Sequence, residues 1–281
     1  GGTNATGAPQ IDYITDVFAP FINSYFRHST CETKNQQPTS EQALLGVQII
    51  KRGYYPKGGG VVHVNLRPPP TSSTASLRPP VTFPPIRLTK CLPISKLVIK
   101  AFSAGNCPAW IAEKMATGAM KELKRALREN ESFYNRIQGD QIKDAAIEIT
   151  HDKNCLGSGS GIMMVAYPNN NNCQTSLHYP ALASSGLGDR KVPPLQTGSD
   201  AAKELIDCIA SGGCVDRWLQ DQIIPFMALA DGPSEILVGE LTLHTQTAMK
   251  VAKDLTGCDF EVERLDHGCG GDTGVESERY G

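Results

Sequence analysis

The chain has 281 residues, a formal net charge of −2, 40% hydrophobic and 20% charged residues, which fits one large or two ordinary globular domains. That charge excludes a globally basic nucleic-acid-binding surface, so any RNA contact has to come from a local patch; no apolar run of about 18 residues predicts a membrane-crossing helix, and no signal peptide is read. The nine cysteines are odd in number, scattered and without a CxxC pair, which argues against a disulfide framework or structural zinc and for a reducing compartment.

The chain opens on Gly1-Gly2-Thr3-Asn4 rather than methionine, as expected of a processed chain or part of a longer one. From Pro9 to Phe26, apolar residues Ile11, Ile14, Val17, Phe18 and Phe21 recur at helical spacing, with a kink or early stop expected at Pro20. Residues 28–43 are polar and turn-rich and read as a loop insertion. Leu45 to Arg52 and Val61 to Leu66 read as a hairpin. Between them Lys57-Gly58-Gly59-Gly60 reverses the order of a phosphate loop and is read first as a glycine turn, second as a close backbone approach to a ligand.

Residues 67–86 are rich in Pro and Ser and read as a linker. A strand follows over Leu97–Phe102, then a helix from Pro108 to about Leu127 with Trp110, Ile111, Met115, Leu123 and Leu127 inward. Two more strands are expected at Ala145–Thr150 and Ile162–Tyr167, with Gly157–Gly161 as a flexible loop between them. Ser199 is expected to cap a helix ending at Gly212-Gly213. A helix from Val215 to Ala230, bent at Pro225, precedes an apolar run Glu235–Leu243 and a short helix from Thr247 to Leu255 closed by Gly257; a last strand covers Phe260–Glu263, and the tail from Gly268 reads as loose. Strands and helices alternate, which predicts an α/β or α+β fold. Lys114, Lys121, Lys124, Arg125 and Arg128 give the helix after Pro108 a basic surface, either a solvated face or an RNA-backbone contact.

The chemistry is concentrated near His244, where a strand-like run meets a helix N-terminus. Thr245 or Thr247 is expected as N-cap. Helix N–H groups there favour bound phosphate and disfavour a protonated ring, so the imidazole is expected to be neutral and nucleophilic toward phosphorus; the bland reading is a histidine that caps or packs. Trp218, Asp221 and Gln222 lie at i, i+3 and i+4 and share a helix face that could hold a nucleotide, the ring on a base and the polar pair on sugar or metal-bound phosphate.

Three segments together resemble the RNA 3'-terminal phosphate cyclase family: Gly1–Ala5 with Ala8–Tyr13, Arg52–Gly60, and Trp218–Gln222 with Phe226–Ala230 and Leu243–Ala248. The resemblance implies repeated units of a four-stranded sheet with two helices, interrupted by a small α/β insert: residues 1–86 the first part of the core repeat, 87–213 the insert, 214–266 the return and 267–281 a tail. It implies ATP as co-substrate, a divalent cation (Mg or Mn), a partner RNA with a 3'-phosphate end, no membrane, and a nuclear location. It implies that His244 takes AMP from ATP, passes it to the RNA 3'-phosphate, and that the 2'-hydroxyl then displaces AMP to close a 2',3'-cyclic phosphate. Trp218, Leu219, Gln220, Asp221 and Gln222 match the family's ATP-contacting run, with Trp218 where tyrosine is usual, and Pro9 matches a proline that packs on adenine. The family's glycine-rich first strand and its metal- and phosphate-binding residues would lie upstream of Gly1, so the expectation is a chain that holds the nucleophile without the full machinery and leaves apolar faces uncovered. The competing readings are a non-catalytic cyclase-like scaffold of ribosome biogenesis, which needs no His244, an inactive fragment, and a histidine-based phosphotransfer protein.

Overall fold

The computed structural model describes residues 2–28, 43–67, 83–137, 145–153, 155–170, 179–265 and 276–278; most of the predicted 28–43 loop, the 67–86 linker and the tail lie outside them. The first helix is continuous through α1 (Ile11–Tyr13), a π-helical segment (Ile14–Phe18) and α2 (Ala19–His28). The break expected at Pro20 is absent: the Ala19 N–H reaches back to Ile14 O, and this wider turn admits a residue that has no N–H and whose ring crowds the preceding turn. The predicted hairpin forms from β1 (Leu45–Lys51) and β2 (Val61–Leu66), antiparallel. Part of the expected linker is structured. Within it Pro84 O accepts from the Tyr25 hydroxyl, and the short strand β3 (Arg87–Leu88) just beyond it pairs with a later segment described below.

The centre is a four-stranded sheet, β5–β4–β6–β7, made of β4 (Ile94–Ala104), β5 (Ala146–Asp152), β6 (Gly159–Pro168) and β7 (Leu182–Leu187). β4 lies parallel to β5 and antiparallel to β6, and β6 is antiparallel to β7. The parallel pair requires a crossover, supplied by α3 (Trp110–Glu129) and α4 (Glu131–Arg136). Alternation divides the sheet into two apolar faces. Leu97, Ile99, Ile162 and Met164 pack against α3 and α5 (Pro194–Ala210), whereas Met163, Val165 and Ala183 pack with Tyr13, Val17, Phe21 and Tyr25 from the first helix. The mixed α/β class expected from the sequence is the class observed.

Several local expectations are corrected. Trp110 is 52% exposed rather than inward, because Ala112, Met115, Ala116, Ala119, Leu123 and Ala126 set the buried face of α3. Small residues are needed there: a Cβ on Gly118 would stand 2.1 Å from Leu195 O, and one on Gly198 1.9 Å from Met115 O, so the α3 and α5 backbones touch. Ser199 lies inside α5, not at its start, since Pro194 at the first turn begins the helix; its hydroxyl donates to Glu122 on α3 at 3.3 Å. Gly159 and Gly161 belong to β6 rather than a loop. A Cβ on Gly159 would meet the Tyr54 ring and one on Gly161 the Phe102 ring, and these two rings stack with centroids 5.9 Å apart. Strand β7 and helix α4, the latter capped by Asn130 accepting from Phe133 N, were not predicted.

The C-terminal part carries α6 (Leu219–Gln222), α7 (Ile224–Ala228), β8 (Glu235–Ile236), α8 (Leu243–Thr256) and β9 (Val262–Arg264), with β10 (Glu276–Glu278) pairing antiparallel to β9 inside the expected tail. β8 is the parallel partner of β3. Large apolar side chains are exposed on β2 (Val64, Leu66) and α8 (Leu243, Val251, Leu255). Among the described residues, no helix is long and apolar enough to cross a membrane.

The helix contact yields a test. In an exposed helix, glycine to alanine raises stability by up to about 1 kcal/mol; here Gly118→Ala and Gly198→Ala should each lower it by about 1–3 kcal/mol, read as a shift in urea midpoint. Unchanged or raised midpoints would contradict the backbone contact.

Candidate active site

The single helix predicted over Val215–Ala230 is two short helices. Pro225 cannot donate to a preceding carbonyl and splits α6 from α7 at Ile223. Before them stands Asp216, fully buried and not singled out in the sequence. Its Oδ1 accepts from the Tyr13 hydroxyl at 2.7 Å and from the Trp218 and Leu219 N–H groups at 2.9 Å. Its Oδ2 accepts from Ala183 N–H at 2.8 Å. Burial pushes the carboxyl up to about 6, and these donors act in the opposite direction. The Tyr13 hydroxyl is raised well above its ordinary value by its own burial and by that carboxylate. One side chain thus fixes the start of α6 against α1 and β7.

The N-terminus of α8 is built differently from the expectation. Only Glu235–Ile236 are strand; Leu237 O is taken by Cys214 N–H at 2.8 Å, and Gly239 packs so close to Gly213 and Ser211 that a Cβ would clash. The helix begins at Leu243 with Thr242, not Thr245 or Thr247, as N-cap; Thr242 Oγ1 accepts from Thr245 N–H at 3.1 Å. Gly257 closes the helix in the left-handed conformation, as predicted. His244 therefore lies in the first turn, exposed, beside N–H groups that precede the first intrahelical bond. Thr245 is buried.

Gln220 joins the two elements. It is 2% exposed. Its Oε1 accepts from Thr245 Oγ1 at 3.0 Å and from Thr242 N–H at 3.5 Å, and its Nε2 donates to Glu240 O at 3.3 Å. Both ends of the amide are thus committed to the α8 turn, and Leu219 is fully buried, so these two side chains serve the scaffold. Asp221 and Gln222 are half-buried. Burial raises the Asp221 carboxyl, and nearby His244 lowers it, which places the two side chains in one electrostatic neighbourhood. Asp221 Oδ1 is shielded and has no hydrogen-bond partner among the described residues.

Trp218 stands at the N-cap of α6 with the Arg217 guanidinium 5.2 Å from its ring centroid; Arg217 also lies 3.8 Å from Glu204. Glu204 is raised chiefly by burial. Pro9 is half-buried and connects to this group through its own chain. Gln10 Nε2 donates to Ile162 O at 3.0 Å, and Tyr13 reaches Asp216. The glycine turn at 57–60 folds on itself: a Cβ on Gly53 would lie 2.3 Å from both Gly58 O and Gly60 N. Arg52 there makes a two-pronged ion pair with Asp12 at 2.6 and 2.7 Å, and Thr3 N–H donates to Gly53 O at 2.9 Å. The three sequence segments are therefore one connected structure.

The family model for RNA 3'-terminal phosphate cyclase matches residues 1–262. The chain belongs to the RNA 3'-terminal phosphate cyclase family. It is 32% identical over 267 residues to a protein of Dictyostelium discoideum named probable RNA 3'-terminal phosphate cyclase, covering 94% of this chain and 51% of that protein. It is 32% identical to the RNA 3'-terminal phosphate cyclase of Methanothermobacter thermautotrophicus, covering 94% and 61%. With that of Drosophila melanogaster it shares 27% identity over 262 residues, covering 93% and 60%. The chain spans roughly half to three-fifths of the length of these cyclases.

Two substitutions test this construction. Asp216→Ala leaves one hydroxyl and three N–H donors buried without an acceptor and should cost at least about 3 kcal/mol, measured by urea denaturation; a loss below 1 kcal/mol would contradict the role of the carboxylate. Gln220→Leu keeps the volume and removes the ties to α8. It should cost about 2 kcal/mol and speed amide exchange in the first turn of α8; unchanged exchange there would show that Gln220 does not hold the turn.

Proposed function

We propose that this chain carries the nucleotide-transferring centre of an RNA 3'-terminal phosphate cyclase, with His244 as the group that accepts AMP. The observation that carries the reading is the seat of His244: an exposed imidazole in the first turn of α8, with Gln220 bonded to that turn and the next residue, Asp221, within electrostatic reach of the ring. In the first step an imidazole nitrogen attacks the α-phosphorus of ATP and pyrophosphate leaves. AMP then passes from the histidine to an oxygen of the RNA 3'-phosphate, and the free imidazole is restored. In the last step the adjacent 2'-hydroxyl attacks the 3'-phosphorus, loses its proton and expels AMP, leaving the 2',3'-cyclic phosphate.

The chain's own residues supply position and charge. The N–H groups at the start of α8 point toward negative charge that develops at phosphorus. Thr242 and Gln220 hold that turn, so little reorganisation accompanies the attack. Trp218 is half-buried against the core with Arg217 over its ring, so a base would stack on the part of that ring left beside Asp221 and Gln222. Among the described residues there is no cluster of three His, Cys, Asp or Glu that could enclose a metal ion. A magnesium-type cation carried on a triphosphate takes only one or two protein carboxylates, and Asp221, with its unpartnered Oδ1, fits as one. Bound there, the cation would neutralise phosphate charge.

The assay uses a protein of the cyclases' full length that contains this segment, since the segment is about three-fifths of a relative such as the Methanothermobacter protein. With ATP and a divalent cation it should convert RNA 3'-phosphate ends to cyclic phosphate, and His244→Ala should reduce the rate at least about a thousandfold. Equal turnover by the variant removes His244 from the chemistry. No turnover by either protein supports the scaffold reading.

A further inference from the structure

Helix α3 carries a surface that the cyclase chemistry does not use. Its five cations, Lys114, Lys121, Lys124, Arg125 and Arg128, are all exposed. At about 100° per residue they fall, together with Trp110, within an arc of about 100° opposite the buried Ala112, Met115, Ala116, Ala119, Leu123 and Ala126. Arg125 is neutralised by Glu122 and Glu129. Lys114, Lys121, Lys124 and Arg128 have no ion-pair partner among the described residues, although Glu113 and Glu129 lie on the same helix.

The arrangement is linear. From Lys114 to Arg128 the helix advances about 21 Å, which matches about six nucleotides of a stacked strand at about 3.4 Å each. At the N-terminal end of the line stands Trp110, with half its surface in water. Its place on the same arc as the four unpaired cations, rather than its exposure alone, is what makes it a candidate stacking platform. Cations in a row with an aromatic at one end combine backbone charge neutralisation with base stacking, the pairing that single-stranded nucleic acid requires. An acidic protein surface is the competing partner for such a stripe, and the test below separates it from RNA.

We infer that the outer face of α3 binds the backbone of single-stranded RNA, with Trp110 stacking on one base. The surface is separate from His244, so it stands or falls independently of the cyclase reading. It gives an otherwise mildly acidic chain a local track for its polyanion.

The test measures fluorescence anisotropy of a labelled single-stranded RNA of about ten nucleotides, ending in a 3'-hydroxyl, with the 281-residue chain and no nucleotide, across a range of salt. Binding should weaken with salt with a logarithmic slope of about −3 for four neutralised phosphates. Lys121→Glu/Lys124→Glu should weaken binding more than tenfold and flatten the slope by about 1.4. Trp110→Ala should weaken it about fivefold or more with the slope kept. Arg67→Glu/Lys90→Glu, the same charge change at exposed positions elsewhere, should leave binding within about twofold of the parent. The inference is overturned by absence of binding at low salt, by equal loss in the control double variant, by a stripe variant that binds like the parent, or by polyglutamate competing as well as RNA.

Discussion

The arrangement depends on one buried carboxylate. Asp216 is enclosed where α1, β7 and α6 meet, and it accepts hydrogen bonds from all three. Removing a carboxylate from water is costly unless its lone pairs are filled, so the site is stable only when the three elements are in register together. The constraint passes outward through consecutive residues: Asp216 fixes the start of α6, α6 presents Gln220, and Gln220 fixes the first turn of α8. His244 owes its place to a chain of hydrogen bonds that begins about thirty residues earlier in sequence and reaches back to the first helix.

The central sheet explains why this chain of contacts can be rigid. β6 is buried along both faces, with the α3 and α5 layer on one and the first helix on the other. The helix that supplies Tyr13 is therefore pressed onto the same sheet whose edge strand supplies Ala183. The glycine contacts between α3 and α5 bring those helices close enough to leave no slack behind the sheet. The outer face of α3 remains in water, so the packed and the solvent-facing halves of one helix answer to different demands.

Much of the fold was legible. The hairpin, the strands β4, β5 and β6, the body of α3 and the glycine that ends α8 follow from periodicity and punctuation, and the mixed class follows from their alternation. The failures share a cause: tertiary contacts decided what local pattern could not. The apolar face of α3 is made mostly of alanines, whose small side chains give a weaker periodic signal than Trp110 does on the opposite face. Leu237 looked like strand and gave its carbonyl to Cys214 instead. Pro20 looked like a stop, and a π-turn absorbed it. At the site, His244 and the Trp218–Gln222 run were visible as a pattern, but Asp216 was not. An aspartate two residues before a tryptophan is an ordinary capping signal, and only its burial beside Tyr13 and Ala183 makes it the centre. Gln220, in the run that the resemblance matches to ATP contact, has its amide committed to the α8 turn, a tie that spacing alone does not reveal.

The central proposal is that an imidazole nitrogen of His244 is the nucleophile to which AMP becomes bonded. The most direct measurement is to trap the intermediate in a protein of full family length that contains this segment, using ATP labelled at the α-phosphorus and no RNA, and to locate the label by peptide mapping. The account predicts a single phosphoramidate on the imidazole of His244, discharged on addition of RNA bearing a 3'-phosphate. Label on any other residue, or label on His244 that such RNA fails to discharge, would contradict it.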